Sequence, residues 1–171
     1  MKRHFILGDF HISHQNIIKY SQRPFKDIED MNNALIFNWN SVVTPSDTVY
    51  VLGDVTMNKK YLPLMNEFVG RKVLVLGNHD IFDAKTYLKY FDDVRGYIVK
   101  DNIIISHIPV HENELTRFQG NIHAHTHENR VMIASENKVI IDSRYYCVSV
   151  EQINYTPILL ETAIENLKNQ K

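Results

Sequence analysis

Arg71-Lys72-Val73-Leu74-Val75-Leu76-Gly77-Asn78-His79-Asp80 is the stretch on which the fold turns. Lys72 to Leu76 is a strongly β-prone run, and Gly77 closes it. The same arrangement recurs upstream: Arg3 to Leu7 is a strand stopped by Gly8-Asp9, and Thr48 to Leu52 is one closed by Gly53-Asp54. Ile103 to Ser106 ends at His107. Asp9, Asp54, Asn78 and His107 therefore each stand just past a strand. In open α/β sheets, ligands bind in the crevice beyond the strands' carboxyl ends. Four strand ends thus deliver four ligand-type side chains toward one place.

Between the strands the pattern turns helical, so the chain reads as α/β. Ile28, Met31, Leu35, Trp39 and Val42 recur at three- and four-residue spacing, predicting a helix over Ile28 to Val43 with Asp27 as its N-cap. Further helices are expected over Asn58 to Phe68 and Asp83 to Tyr90. A terminal one is capped by Thr156, with Pro157 at its first position and Leu160, Ala163, Ile164 and Leu167 on one face. Tyr97 to Val99 pairs with Ile103 to Ser106 as a hairpin around Lys100-Asp101-Asn102. Asn121 to His123, Val131 to Ala134, Val139 to Ile141 and Cys147 to Val150 are short strands. Phe37, Trp39, Phe68, Phe91 and Tyr97 are assigned to the core.

With no repeat and no Pro/Gly/Ser linker, residues 1–171 read as one domain. A 44% apolar and 23% charged composition is that of a globular chain, not a disordered one. A net charge of -1 supplies no global field for nucleic acid or an anionic membrane. The apolar run Phe5 to Leu7 is too short for a signal peptide, and no stretch reaches the length of a membrane span. The lone Cys147 excludes an internal disulfide. A cytoplasmic home is expected.

Histidine is unusually frequent, at nine residues, and seven of them fall in or beside the strand-end motifs. His123, His125 and His127 alternate, so on a strand they share one face. Oxygen and imidazole donors suit Mn, Fe, Zn, Co or Ni, and the lack of thiolates argues against a structural zinc site.

The ordered set Asp9-Phe10-His11, Gly53-Asp54, Gly77-Asn78-His79-Asp80, His107 and His125-Thr126-His127 resembles the calcineurin-like metallophosphoesterases. The run Asp9 to Ile18 followed by Arg23-Pro24-Phe25 is similar to a small bacterial and phage branch that consists of little but the catalytic core. The resemblance implies a four-layer α/β/β/α sandwich of two mixed sheets. It implies two metal ions, one held by Asp9, His11, Asp54 and His127, the other by Asp54, Asn78, His107 and His125, with Asp54 bridging. His79 is then the general acid or the stabiliser of transition-state charge, and Asp80 orients it. Ala124 stands where the family motif has glycine.

The activity so implied is hydrolysis of a phosphodiester or phosphomonoester by a metal-bridging hydroxide, on a small-molecule ester. The alternatives are a nuclease of the same fold acting on single-stranded nucleic acid, which the near-neutral charge disfavours, and a non-catalytic metal-binding scaffold. Arg23, His14, His111 and His123 are the candidates for substrate contact, Arg23 because a guanidinium matches phosphate bidentately.

Overall fold

The computed structural model describes residues 2–135 and 138–170. In chain order the elements are β1 (His4–Gly8), α1 (Gln15–Tyr20), α2 (Ile28–Val42), β2 (Thr48–Leu52), β3 (Arg71–Val75), α3 (Ala84–Tyr87) and β4 (Asp93–Arg95). There follow β5 (Ile98–Lys100), β6 (Ile103–Ile105), β7 (Gly120–His123), β8 (Met132–Ser135), β9 (Lys138–Ile141), β10 (Tyr145–Cys147), β11 (Ile158–Leu159) and α4 (Leu160–Asn169). Short 3-10 helices cover Lys59–Glu67, Glu112–Thr116 and Val150–Ile153.

Two mixed sheets organise the chain, as the α/β reading requires. The first runs β11-β1-β2-β3-β4, parallel except for β11, and the second runs β10-β7-β6-β5, parallel except for β5. Among the described residues a parallel bridge from Gly8, at the end of β1, to Ser149, two residues past β10, joins the two sheets. β8 and β9 form a separate antiparallel pair.

Alternation along the strands divides the core. Phe5, Leu7, Val49, Val51 and Leu74 point toward α2, where Met31, Leu35 and Trp39 meet them. Ile6, Leu52 and Val75 point the other way, against Ile103, Ile105, Ile122 and the α4 face of Leu160, Ala163, Ile164 and Leu167. Both faces of the first sheet are thus buried, which explains why its strands read as continuous apolar runs.

Several sequence expectations hold. The Asp27 carboxylate accepts from the Asp30 N–H at the start of α2. Asp101 and Asn102 turn the β5–β6 hairpin with φ of 51° and 59°, the geometry of a two-residue hairpin loop.

Others need correction. Lys59–Glu67 is 3-10 rather than α, because Pro63 sits inside it and has no N–H to donate to an α ladder. Thr156 and Pro157 do not start α4. Ile158 and Leu159 first pair antiparallel with Ile6 and Phe5, and the helix begins at Leu160. The strand placed over Cys147 to Val150 lies instead at Tyr145–Cys147, and Val150 opens a 3-10 turn. Phe37 and Tyr97 are 73% and 60% exposed, not core. Phe37 lies two residues from the buried Leu35, on the opposite side of the helix.

Candidate metal centre

The strand-end side chains do converge. One atom from each of Asp9, His11 and His127 lies within 4.8 Å of the other two, and the same holds for Asp54, His107 and His125. The two triplets adjoin through one carboxylate. Asp54 Oδ2 is 3.5 Å from His11 Nε2, and Asp54 Oδ1 is 3.5 Å from His107 Nε2. Asn78, the exposed member, brings its Oδ1 to 2.9 Å from His107 Nε2.

The backbone is bent to achieve this. Asp9, His11, Asp54, His125 and His127 all have positive φ, between 49° and 69°. Such conformations cost roughly 1–3 kcal/mol each in non-glycine residues and persist where the surroundings over-determine them. Here the loops lock onto one another: the Asp9 N–H donates to Gly53 O at 3.2 Å and the His11 N–H to Asp54 O at 2.8 Å. The His125 N–H donates to Asp9 Oδ2 at 2.7 Å.

The donor set fits metal ions. Among the described residues, Asp9 Oδ1 and both ring nitrogens of His11 are buried without a hydrogen-bond partner, an arrangement that costs free energy unless something else satisfies the atoms. Burial pushes the Asp9 carboxyl up to about 6, against the pull of His127 and His107. Burial, with Arg23 and three nearby imidazoles, drives His11 down to about 2. His11 is thereby kept neutral, the form that ligates metal. Two groups of oxygen and imidazole donors, sharing one carboxylate, can each hold an ion.

Ala124 fits where a glycine was expected because its neighbour supplies the space. Ala124 is fully buried, and a Cβ built on Gly8 would collide with its methyl group.

His79 is at the edge of the cluster, its ring centroid 5.8 Å from that of His11, and its backbone N–H donates to Asp54 Oδ1 at 2.9 Å. Among the described residues, the Asp80 carboxylate makes no hydrogen bond to the His79 ring. That carboxylate accepts from the N–H groups of Asp54, Val55 and Gly77 at 2.8, 3.0 and 2.8 Å, so it holds the turn and the Asp54 backbone instead. Burial raises the Asp80 pKa against these three donors.

The substrate candidates separate. His14 packs near His11, ring centroids 5.7 Å apart. His111 is exposed and spends its Nδ1 on the Asn113 N–H. His123 is buried, its Nδ1 lies 2.7 Å from Ala124 O, and burial lowers its pKa to about 4, so it faces the core rather than a substrate. Arg23 is likewise closed to a phosphate. Its side chain is fully buried, and its donors go to Glu151, Phe10 O and Asp9 O.

Two contributors went unseen in the sequence. Ser149 Oγ donates to Asp9 Oδ2, and Glu151 Oε1 lies 3.0 Å from His127 Nδ1. No motif marks either; Glu151 stands 24 residues beyond its partner.

No family model matches the chain. It is 35% identical to the uncharacterized protein MJ1445 of Methanocaldococcus jannaschii, over all of this chain and 94% of that protein. It is 25% identical to the Gene 66 protein of Mycobacterium phage L5, over 80% of this chain and 82% of the phage protein. Its fold is similar to the crystal structure of AQ665, a protein of unknown function from Aquifex aeolicus. The TM-score is 0.73 at 29% identity, covering 98% of this chain and all of that one.

Proposed function

The chain belongs to the family of the Methanocaldococcus jannaschii protein MJ1445, and we propose that it is a metal-dependent phosphoesterase that hydrolyses phosphodiester or phosphomonoester bonds in small molecules. The fold in this reading is the four-layer α/β/β/α sandwich of the calcineurin-like metallophosphoesterases, with the α2 and α4 sides outermost. The observation that carries it is the placement of Asp54, one oxygen toward the Asp9–His11–His127 group and the other toward His107 and His125. A carboxylate shared between two ligand groups accounts for that placement.

Asp9, His11 and His127 would hold one ion, and His107, His125 and Asn78 the other, with Asp54 common to both. Two such ions lower the pKa of a water toward neutrality and stabilise charge on phosphoryl oxygens. The protein's own part is then positional. His79, half-buried at the rim and tied through its backbone N–H to Asp54 Oδ1, would give a proton to the departing oxygen. Asp80 fixes the Gly77–Asp80 turn that carries His79. His14 lines the same rim.

The test is elemental analysis of purified protein together with a screen of bis-aryl and mono-aryl phosphate esters. Near two first-row metal ions per chain and turnover of an aryl ester support the reading. Metal without turnover favours a binding scaffold. Cleavage of single-stranded nucleic acid that falls steeply with salt favours a nuclease.

A further inference from the structure

One short segment reaches the Asp9–His11–His127 group from outside. Ser149 Oγ donates to Asp9 Oδ2 at 2.5 Å, and Gln152 Nε2 donates to His127 O at 3.0 Å. Between them, Glu151 Oε1 meets His127 Nδ1 at 3.0 Å. Arg23 closes the arrangement from the opposite side. Its Nε and Nη2 reach Glu151 Oε1 at 2.9 and 2.7 Å, while Nη2 and Nη1 also donate to Asp9 O and Phe10 O at 2.7 and 2.9 Å.

The shape of this contact matters. A purely structural Arg–Glu pair gains most from two parallel hydrogen bonds, one per carboxylate oxygen. Here two guanidinium nitrogens and the imidazole converge on Oε1, and among the described residues Oε2 is buried without a hydrogen-bond partner. The carboxylate is turned to serve His127. An imidazole that donates Nδ1–H to a carboxylate presents Nε2 as its ligand nitrogen, and such outer partners hold the ring in place for a metal. The other group is built differently. His107 Nδ1 rests 2.8 Å from the Leu52 carbonyl, and among the described residues no side chain of 149–152 bonds to Asp54, His107 or His125.

Resting on the reading of the site as a two-metal centre, we propose that Glu151, backed by Arg23, is a positioning residue for the Asp9–His11–His127 ion alone. The two ion positions are therefore unequal: one depends on the clamp and the other does not.

The test is titration of the metal-free full-length protein with cobalt(II), followed by calorimetry and by visible absorption, which reports ligand geometry. The wild type takes up two ions. Glu151→Ala weakens one step by about 10–100-fold and leaves the other within about twofold, with a changed absorption spectrum for the weakened site. Glu151→Gln, which keeps an acceptor facing Nδ1, restores most of that affinity. Because Glu151→Ala strands a buried guanidinium and can unfold the chain, the double variant Arg23→Met/Glu151→Met removes both charges together, an exchange that folded proteins commonly tolerate. It shows the same single-site loss.

A folded variant that binds both ions as the wild type does, or weakens both equally, overturns the clamp. So does a wild type that takes up no ion, which removes the metal centre as well. A wild type that binds two ions in this unequal way but cleaves no phosphate ester leaves the clamp standing and removes the hydrolase reading. A hydrolase whose metal affinity ignores Glu151 does the reverse.

Discussion

Gly53 and Gly77 meet backbone to backbone: a Cβ built on Gly53 would collide with the Gly77 nitrogen and α-carbon and stand 2.9 Å from His107 Nδ1. The loops after β2 and β3 can approach this closely only because neither residue carries a side chain. A Cβ on Gly77 would run into the Asp54 carboxylate and lie 2.6 Å from the Asp54 nitrogen. Gly77→Ala is therefore expected to displace the shared carboxylate. Elemental analysis should find metal content well below that of the wild type, with circular dichroism unchanged. Undiminished metal would show that the Asp54 loop has room to move.

Asp54 faces both ligand groups, so its loss should not be confined to either. Asp54→Ala is expected to abolish tight binding at both positions, where Glu151→Ala spares one. Equilibrium dialysis distinguishes the two. Retention of two tightly held ions by Asp54→Ala would contradict the shared role.

The His79 ring belongs to neither triplet. His79→Ala should lower turnover of an aryl phosphodiester by roughly 10²–10⁴-fold, the usual contribution of a positioned acid, while the metal content stays at the wild-type level. Esters with a highly acidic leaving group should lose least, since they need protonation least. Equal losses across leaving groups would point to charge stabilisation instead.

How much of this the sequence carried depends on what its local chemistry could encode. The strand ends at Asp9, Asp54, Asn78 and His107 were legible because each couples a β-prone run to a glycine or polar stop. The convergence of Asp9, Asp54 and Asn78 follows from the parallel order of β1, β2 and β3, which puts successive carboxyl ends side by side, while His107 arrives from the end of β6 in the second sheet. Arg23 was misread because its chemistry suits a phosphate as well as a carboxylate, and only the fold decides which one lies within reach. Glu151 was invisible for a related reason: its partners His127 and Arg23 lie 24 and 128 residues away. The family resemblance made Asp80 the partner of the His79 imidazole, yet the turn points its oxygens back at the Asp54 backbone. The strand β11 and the later start of α4 escaped because Thr156-Pro157 is equally at home before a helix and before an edge strand.

The ligand loops carry strain and unpartnered buried atoms, so metal should stabilise the folded state. Chelation of the loaded protein is expected to lower Tm. At free metal about 100-fold above Kd, each bound ion adds about 2.7 kcal/mol, and each kcal/mol moves Tm by about 2–4 °C in a domain of this size. A drop of about 5–10 °C for each ion lost, about 10–20 °C when both go, reversed by adding back the metal, is the outcome to look for by scanning calorimetry. An unchanged Tm would mean that the loops are held without help.

Far from the centre, Asp47 ties the start of the chain to the turn before β2. Its buried carboxylate accepts from the Arg3 side chain at 2.7 and 3.3 Å, from the Arg3 N–H at 3.0 Å, and from the Thr44 N–H and hydroxyl at 2.8 Å each. The Arg3 hydrogen bond, aided by the Thr44 and Arg3 backbone donors, holds its pKa far below the ordinary carboxylate value despite burial. A carboxyl with a depressed folded-state pKa binds protons more readily in the unfolded chain. Its contribution is complete above the unfolded pKa of about 3.9 and fades as pH falls below it. Asp47→Asn removes the charge at every pH. In chelated protein, which excludes metal release, the variant should melt several degrees below the wild type at pH 7, since a hydrogen bond to a charged group is worth about 1.5–3 kcal/mol. The gap should narrow steadily below about pH 4 as the wild type loses what the variant never had. A gap independent of pH would mean that the carboxylate's charge contributes nothing and that only its shape is used.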